Sequence, residues 1–349
     1  MYCCVSCFNS KYLRDIIQSD PRIGNCDYCA SVDVSVYEPR ELIHFFSSIL
    51  NLYEVSENSE KGIADLIKED FEDNIFSNSV MDVSSLLFEI SKGEPEDYIA
   101  LFENNVASIN QREETANQVE EIHNIWDKFK DEIKNVNRFH INNAIDLQSL
   151  ETLFKDEAFH SKIMTGKIFY RSRIAPSPEG HPDDKMGNPP AHLATSGRAN
   201  PKGISYLYVA DEAITSIYEA RASLFDYVCV AEFKLLENLK VLNLRQPIYD
   251  PISWAEKEAI EDYLVYVPFI KTLQKELSLP IRSKDKEIDY LPTQYLSEFI
   301  KSLGFDGVEF QSSLRKEGYN LAIFNPEKLI FNQSCVYEIS NIDLTHDQL

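Results

Sequence analysis

Five of the seven cysteines fall in the first 29 residues, and four of them form two C-x-x-C pairs, Cys4 with Cys7 and Cys26 with Cys29. Each pair can bite one metal ion from a tight knuckle. Two pairs 18 residues apart match the spacing of a tetrahedral Cys4 zinc site. Cys3 is an alternative first ligand to Cys4. Residues 1–37 are too few for a core of their own, so the metal would supply folding energy. Four thiolates close such a site, which makes it structural rather than catalytic.

A chain of 349 residues predicts two or three domains, and 44% hydrophobic residues are enough for a core. The net charge of −23 argues against general nucleic-acid binding, which wants a basic face, and against docking on anionic membranes. No apolar run reaches the length of a membrane span, and Met1-Tyr2-Cys3-Cys4 opens no signal peptide. The expectation is a soluble, cytoplasmic protein whose cysteines are thiols or metal ligands rather than disulfides. A homo-oligomer is compatible with this composition.

Residues 38–161 read as a helical bundle. Ile63, Leu66, Ile67 and Phe71 fall at helical spacing, and so do Val119, Ile122, Trp126, Phe129, Ile133 and Val136. The span holds only two glycines, Gly62 and Gly93, and Gly93-Glu94-Pro95 reads as a helix break. From Glu38 to Glu157 acids far outnumber bases.

From Lys162 to Gly203 that balance reverses. Lys162, Lys167, Arg171, Arg173, Lys185, Arg198 and Lys202 stand against Glu179, Asp183 and Asp184. A basic stretch on an acidic chain suggests a small anionic ligand. Ile168 to Arg173 reads as a strand, followed by a long Pro-rich loop from Ala175 to Arg198, the length of a functional loop. Gly197, Asn200, Pro201 and Gly203 form turns. A short strand carries Tyr206 and Tyr208, and Asp211 caps a helix holding Glu219. Further strands are expected at 227–233, 241–244, 305–310 and 320–324, with helices at 253–277 and 292–303. A cationic turn, a strand-end tyrosine and a carboxylate two turns into a helix can converge on one pocket.

The blocks Phe169-Tyr170-Arg171, Gly197-Arg198-Ala199-Asn200-Pro201-x-Gly203, Tyr208-Val209-Ala210 and Glu219 occur in that order. Asp306 to Ser313 and Gly318 to Phe324 follow. In order and spacing this half of the chain resembles the RES domain, and the N-terminal half more weakly resembles the HEPN-like domain often fused ahead of it. Spacing and pattern together with the resemblance give an expected α+β protein: a Cys4 zinc knuckle (1–37), a helical domain (38–161) that the resemblance makes HEPN-like, a RES domain (162–336) whose mixed α/β fold the resemblance implies is ADP-ribosyltransferase-like, and a tail (337–349). It also implies a toxin that destroys NAD+ by hydrolysis or phosphorolysis and is restrained by an antitoxin. Arg171, Tyr208, Glu219 and Ser312 are the implied catalytic set, with Arg173 an alternative to Arg171 and Ser313 to Ser312. Arg198, Asn200 and Gly203 are implied further contacts on the turn. HEPN bundles that cut RNA carry an Arg followed four to six residues on by a His. Arg40 and His44 have three residues between them and Arg138 and His140 one, so that motif is missing. ADP-ribosyl transfer to a macromolecule, and nucleotide binding without turnover by a zinc-stabilised interaction protein, are the alternative functions.

Overall fold

The computed structural model describes residues 1–93, 98–108, 113–142, 145–156, 159–245, 250–278 and 286–342. The expected break at Glu94-Pro95, the Glu157 end of the acidic stretch and the tail beyond Ile342 lie outside the described residues. The described strands are β1 Cys3–Cys4, β2 Ile23–Gly24, β3 Val34–Tyr37, β4 Tyr53–Val55, β5 Val106–Ser108, β6 His160–Ile163, β7 Ile168–Ala175, β8 Leu207–Ala210, β9 Tyr227–Leu235, β10 Leu239–Asn243, β11 Gly307–Gln311, β12 Tyr319–Ile323 and β13 Leu329–Glu338. The helices are α1 Lys11–Ser19, α2 Ile43–Leu50, α3 Ile63–Phe71, α4 Val83–Ser91, α5 Ile99–Glu103, α6 Glu113–Asn135, α7 Leu147–Lys155, α8 Ala213–Ala220, α9 Pro251–Ala255, α10 Ile260–Ser278, α11 Lys286–Asp289 and α12 Leu291–Ser302. None of them is long and apolar enough to cross a membrane.

The chain divides into two compact units, Met1–His123 with Tyr249–Phe269, and Asn124–Ile248 with Ile270–Leu349. In the first, the cysteine segment builds a small antiparallel sheet in the order β1-β3-β2. Helix α1 starts where Ser10 Oγ accepts a hydrogen bond from Leu13 N, and buries Leu13 and Ile17. The helical spacing in α3 is realised: Ile63, Leu66, Ile67 and Phe71 are all buried. The helical stretch is not purely helical, because β4 and β5 pair antiparallel within it. Strands of three residues leave no alternating run for sequence periodicity to detect.

In the second unit, Trp126, Phe129 and Ile133 point inward from α6, with Trp126 stacked on Phe129. Val136 lies one residue past the helix end and is exposed, so the predicted stripe stops a turn early. The unit is dominated by an eight-stranded mixed sheet, ordered β13-β9-β7-β8-β12-β11-β10-β6, whose only parallel pair among the described strands is β10–β11. One face presents Phe169, Leu207, Val209, Ala231, Phe233, Leu321 and Ile323 to a dense core. The long loop after β7 is held down rather than free. Met186 is fully buried, and Gly180 packs so closely on Val336 that a Cβ there would come within 2.6 Å.

Two expected boundaries shift. Glu212, not Asp211, occupies the N-cap position of α8, and the Asp211 carboxylate instead accepts from Tyr319 N on β12. The helix expected over 253–277 is two helices, α9 and α10, separated where Glu258 takes a left-handed φ of 58°.

Leu321 sits at the centre of the sheet with no exposed surface. Leu321→Ala is expected to cost about 2–5 kcal/mol. Urea unfolding of the purified protein checks this, and a loss below about 1 kcal/mol would contradict the central position.

Candidate functional site

The opening that becomes the site is made by the sheet itself. Strand β7 is laddered to β9 along its whole length, yet it meets β8 at a single bridge, Tyr170–Ala210. Beyond that bridge the two strands part. A cavity of about 330 Å³ occupies the region. Tyr170, Arg171 and Ser172 all line it although they alternate along β7, so the cavity reaches into the gap between the strands. Helix α8 packs over the same face and brings Glu219 to the wall.

Arg171 reaches this gap from the middle of β7. Its Nη1 is buried and has no hydrogen-bond partner. Burial, with Arg173 beside it, pushes the guanidinium down to about 10, which still leaves a cation at neutral pH. A cation with a buried nitrogen left unbonded is costly, and because Arg171 also lines the cavity, an anion bound there would offset its charge. Arg173 lies two residues on, exposed, and donates from Nη1 to the carbonyl of Lys185. It does not line the cavity.

The 196–203 turn is an internally bonded structure. Asn200 is 4% exposed and donates from Nδ2 to the carbonyls of Thr195, Pro201 and Ile204. Its Oδ1 accepts from the Tyr208 hydroxyl at 2.8 Å, and that hydroxyl accepts from Ala199 N. Burial pushes the Tyr208 phenol above its ordinary value. Asn200 therefore braces the turn and is not a contact in the cavity, and Tyr208 offers its ring rather than its hydroxyl. Gly197 has no room for a side chain, because a Cβ would lie 2.3 Å from Asn200 Oδ1 and 2.8 Å from Tyr208 Oη. Gly203 is needed for a different reason, a positive φ of 88° with open space around it, and does not line the cavity. Helix α12 clamps the turn from outside: Gln294 Nε2 donates to Ser196 Oγ and the Gly197 carbonyl, and Thr293 Oγ1 to the Arg198 carbonyl. Arg198 itself lines the cavity. Its Nη1 donates to the Ser278 carbonyl and its Nη2 lies 3.7 Å from Glu219 Oε2.

Glu219 is the carboxylate on the wall. Its Oε1 accepts from Ser312 Oγ and from Asn320 Nδ2, each at 2.8 Å. The backbone N–H groups of Leu314 and Arg315 donate to Ser312 Oγ, filling its lone pairs and directing its proton to Glu219. Ser312 is buried while Ser313 is exposed, because β11 ends at Gln311 and the chain turns. The structure thus brings Arg171, Arg198, Tyr208, Glu219 and Ser312 together and leaves Arg173, Asn200, Gly203 and Ser313 off the wall. Asn320, Tyr290 and Ser172 are wall residues that sequence reasoning did not single out. Asn320 stood inside a motif block with nothing to mark its role. Tyr290 and Ser172 carried no signal.

The N-terminal cysteines form a second centre, in the first unit. The Sγ atoms of Cys4, Cys7, Cys26 and Cys29 all lie within 4.8 Å of one another. Cys3 turns away and donates to the Tyr37 carbonyl. Tetrahedral thiolates at about 2.3 Å from a zinc ion stand about 3.8 Å apart, so the four sulfurs fit such an ion with little movement. Burial pushes Cys4 up to about 11, and donation from Cys7 pulls Cys26 down.

The unpartnered Arg171 predicts anion affinity without any assumption about catalysis. Inorganic pyrophosphate is expected to bind the purified protein, with about a tenfold loss in Arg171→Ala and little loss in Arg173→Ala. Calorimetric titration of the three proteins decides it, and equal affinity for wild type and Arg171→Ala counts against the assignment.

No curated protein matches the chain. Among solved structures, a chain of the M. tuberculosis MbcT-MbcA toxin-antitoxin complex aligns at 17% identity, over 55% of this chain and 93% of that one, with a TM-score of 0.32. Residues 169–342, which hold all but the first residue of β7, β8 through β13 and every wall residue of the cavity, match the RES domain family.

Proposed function

We propose that the RES-domain cavity binds NAD+ and breaks the bond between nicotinamide and ribose. The observation that carries this reading is the pairing, in one cavity, of an anchored carboxylate with a buried cation that lacks a partner. Nicotinamide leaves NAD+ as a neutral molecule from a cationic precursor, so no acid is needed to protonate it. As the bond stretches, positive charge develops on the ribose, as in glycoside hydrolysis. Glu219 Oε2, the oxygen not held by Ser312 and Asn320, is free to accept from ribose hydroxyls and to stabilise that charge more than it stabilises the ground state. Arg171 serves the diphosphate, which a planar guanidinium grips in two places. The Tyr208 ring supplies a stacking face. Water or phosphate then takes the ribosyl carbon, giving ADP-ribose or its 1″-phosphate. Loss of NAD+ would poison a cell, and this supports the reading of a cytoplasmic toxin held by an antitoxin. The helical stretch is read as a HEPN-like domain without RNA-cutting residues. There, Arg40 is engaged in an ion pair with Glu89 at 2.9 Å.

For the cysteine centre, the proposal is one structural zinc ion on Cys4, Cys7, Cys26 and Cys29. The support is four largely buried sulfurs within ligand reach of a common point. Four thiols packed this closely gain more from a shared cation than from one another.

Purified wild type incubated with NAD+ is expected to release nicotinamide, followed by proton NMR, and Glu219→Gln to release it about 10²–10³-fold more slowly. Free ADP-ribose or its phosphate as product fits the reading, whereas a labelled adduct on protein or nucleic acid replaces it with ADP-ribosyl transfer. Failure of well-folded wild type to release nicotinamide would falsify it. Zinc is checked separately by elemental analysis. About one ion per chain is expected in wild type and far less in Cys26→Ser, together with a lower melting temperature. Metal-free wild type with an unchanged melting temperature rules the site out.

A further inference from the structure

Asn320 is 6% exposed and lies on β12 in the middle of the sheet. It is laddered on both sides, opposite Ala210 of β8 and Phe310 of β11. Its Cα is therefore fixed by two strands at once, and its side chain stands on the face that α8 covers. From there Nδ2 donates to Glu219 Oε1 at 2.8 Å, the same oxygen that Ser312 Oγ reaches at 2.8 Å. One carboxylate oxygen has room for two such donors, so Oε1 is filled. Oε2 receives no hydrogen bond among the described residues and lies 3.7 Å from Arg198 Nη2.

We infer that Asn320 is a positioning residue which, with Ser312, divides the two oxygens of Glu219 into an anchored one and a working one. The inference deepens the NAD+-cleaving reading and rests on it for its kinetic consequence. Without Asn320, the carboxylate is tethered by a single hydroxyl, and Arg198, whose Nη2 already lies 3.7 Å from Oε2, is the cation poised to pull it. The side chain then rotates so that the guanidinium captures Oε2, the oxygen that has to meet the ribose. Asn320 touches no reacting atom in this scheme. It acts through Glu219, by making the productive rotamer the cheap one, and a pre-set rotamer spares the reaction a reorganisation step. A residue on a strand buried between two neighbours is suited to that task, since neither its backbone nor its Cβ can follow the carboxylate if it moves.

Two variants separate this role from mere packing. Asn320→Ala removes the side chain, and Asn320→Asp keeps its shape while replacing the N–H donor with an oxygen that repels the carboxylate. Nicotinamide release is expected to show kcat reduced about 10–100-fold in both variants, with KM for NAD+ within about threefold of wild type. Asn320→Asp should be at least as slow as Asn320→Ala. If Asn320→Asp keeps wild-type kcat, shape rather than hydrogen-bond donation is what matters, and the inference is wrong. A second measurement does not depend on turnover. A crystal structure of Asn320→Ala is expected to show Glu219 rotated, with Oε2 within hydrogen-bond distance of Arg198. Glu219 in its wild-type rotamer there overturns the inference even if NAD+ proves not to be the substrate. Silence of wild type toward NAD+ would overturn the substrate reading and leave the crystallographic test of the inference standing.

Discussion

The site depends on one break in a hydrogen-bonded sheet. Strand β7 keeps its full ladder to β9 but bridges β8 only at Tyr170–Ala210. A continuous ladder at that place would close the gap between the strands that the cavity occupies. Because the strands part instead, a guanidinium whose neighbours Phe169 and Ala175 belong to the core face can reach the cavity. The cost is an unsatisfied buried cation, and such a cost persists in a fold only where the rest of the structure fixes it.

Around that opening, most polar side chains are committed to one another rather than to a ligand. The Tyr208 hydroxyl is held between Asn200 Oδ1 and Ala199 N, and the Asn200 amide is spent on three carbonyls. Ser312 is spent on two backbone N–H groups and Glu219. Among the described residues, no hydrogen bond reaches Arg171 Nη1 or Glu219 Oε2. A site built this way is pre-organised, since the groups that would meet the ligand are held by groups that cannot move. The cysteine cluster shows the same economy at the other end of the chain, where β1 and the short turn after it carry Cys4 and Cys7, and a second turn between β2 and β3 brings Cys26 and Cys29 to the same point.

Motif blocks and helical periodicity were legible because each depends on neighbours in sequence. The cysteine pairs could be read from spacing alone, and so could the apolar stripe of α3. The stripe of α6 overran its helix by one residue, since Val136 continues the pattern past the point where the helix stops. The strands β4 and β5 were missed because each is stabilised by the other across about fifty residues, a pairing that local pattern does not encode. Asn200 shows the opposite case. Its place in a cationic turn suggested ligand contact, yet folding turns it inward as the turn's brace.

By itself, the sequence determined from spacing which cysteines could share an ion, because residue type and spacing limit the chemistry available, while its resemblance to the RES domain implied which arginine, tyrosine, glutamate and serine belong to one pocket. Only the tertiary structure decided the choices within each centre. Cys4 rather than Cys3 joins the sulfur cluster, because Cys3 points to the Tyr37 carbonyl. Arg171 rather than Arg173 enters the cavity, and Ser312 rather than Ser313 meets Glu219, because strand parting and strand ending direct side chains that sequence spacing leaves equivalent. Asn320 belongs wholly to the tertiary level. It lies 101 residues from Glu219 along the chain, and only the folded sheet with α8 packed against it brings the two side chains into hydrogen-bond contact.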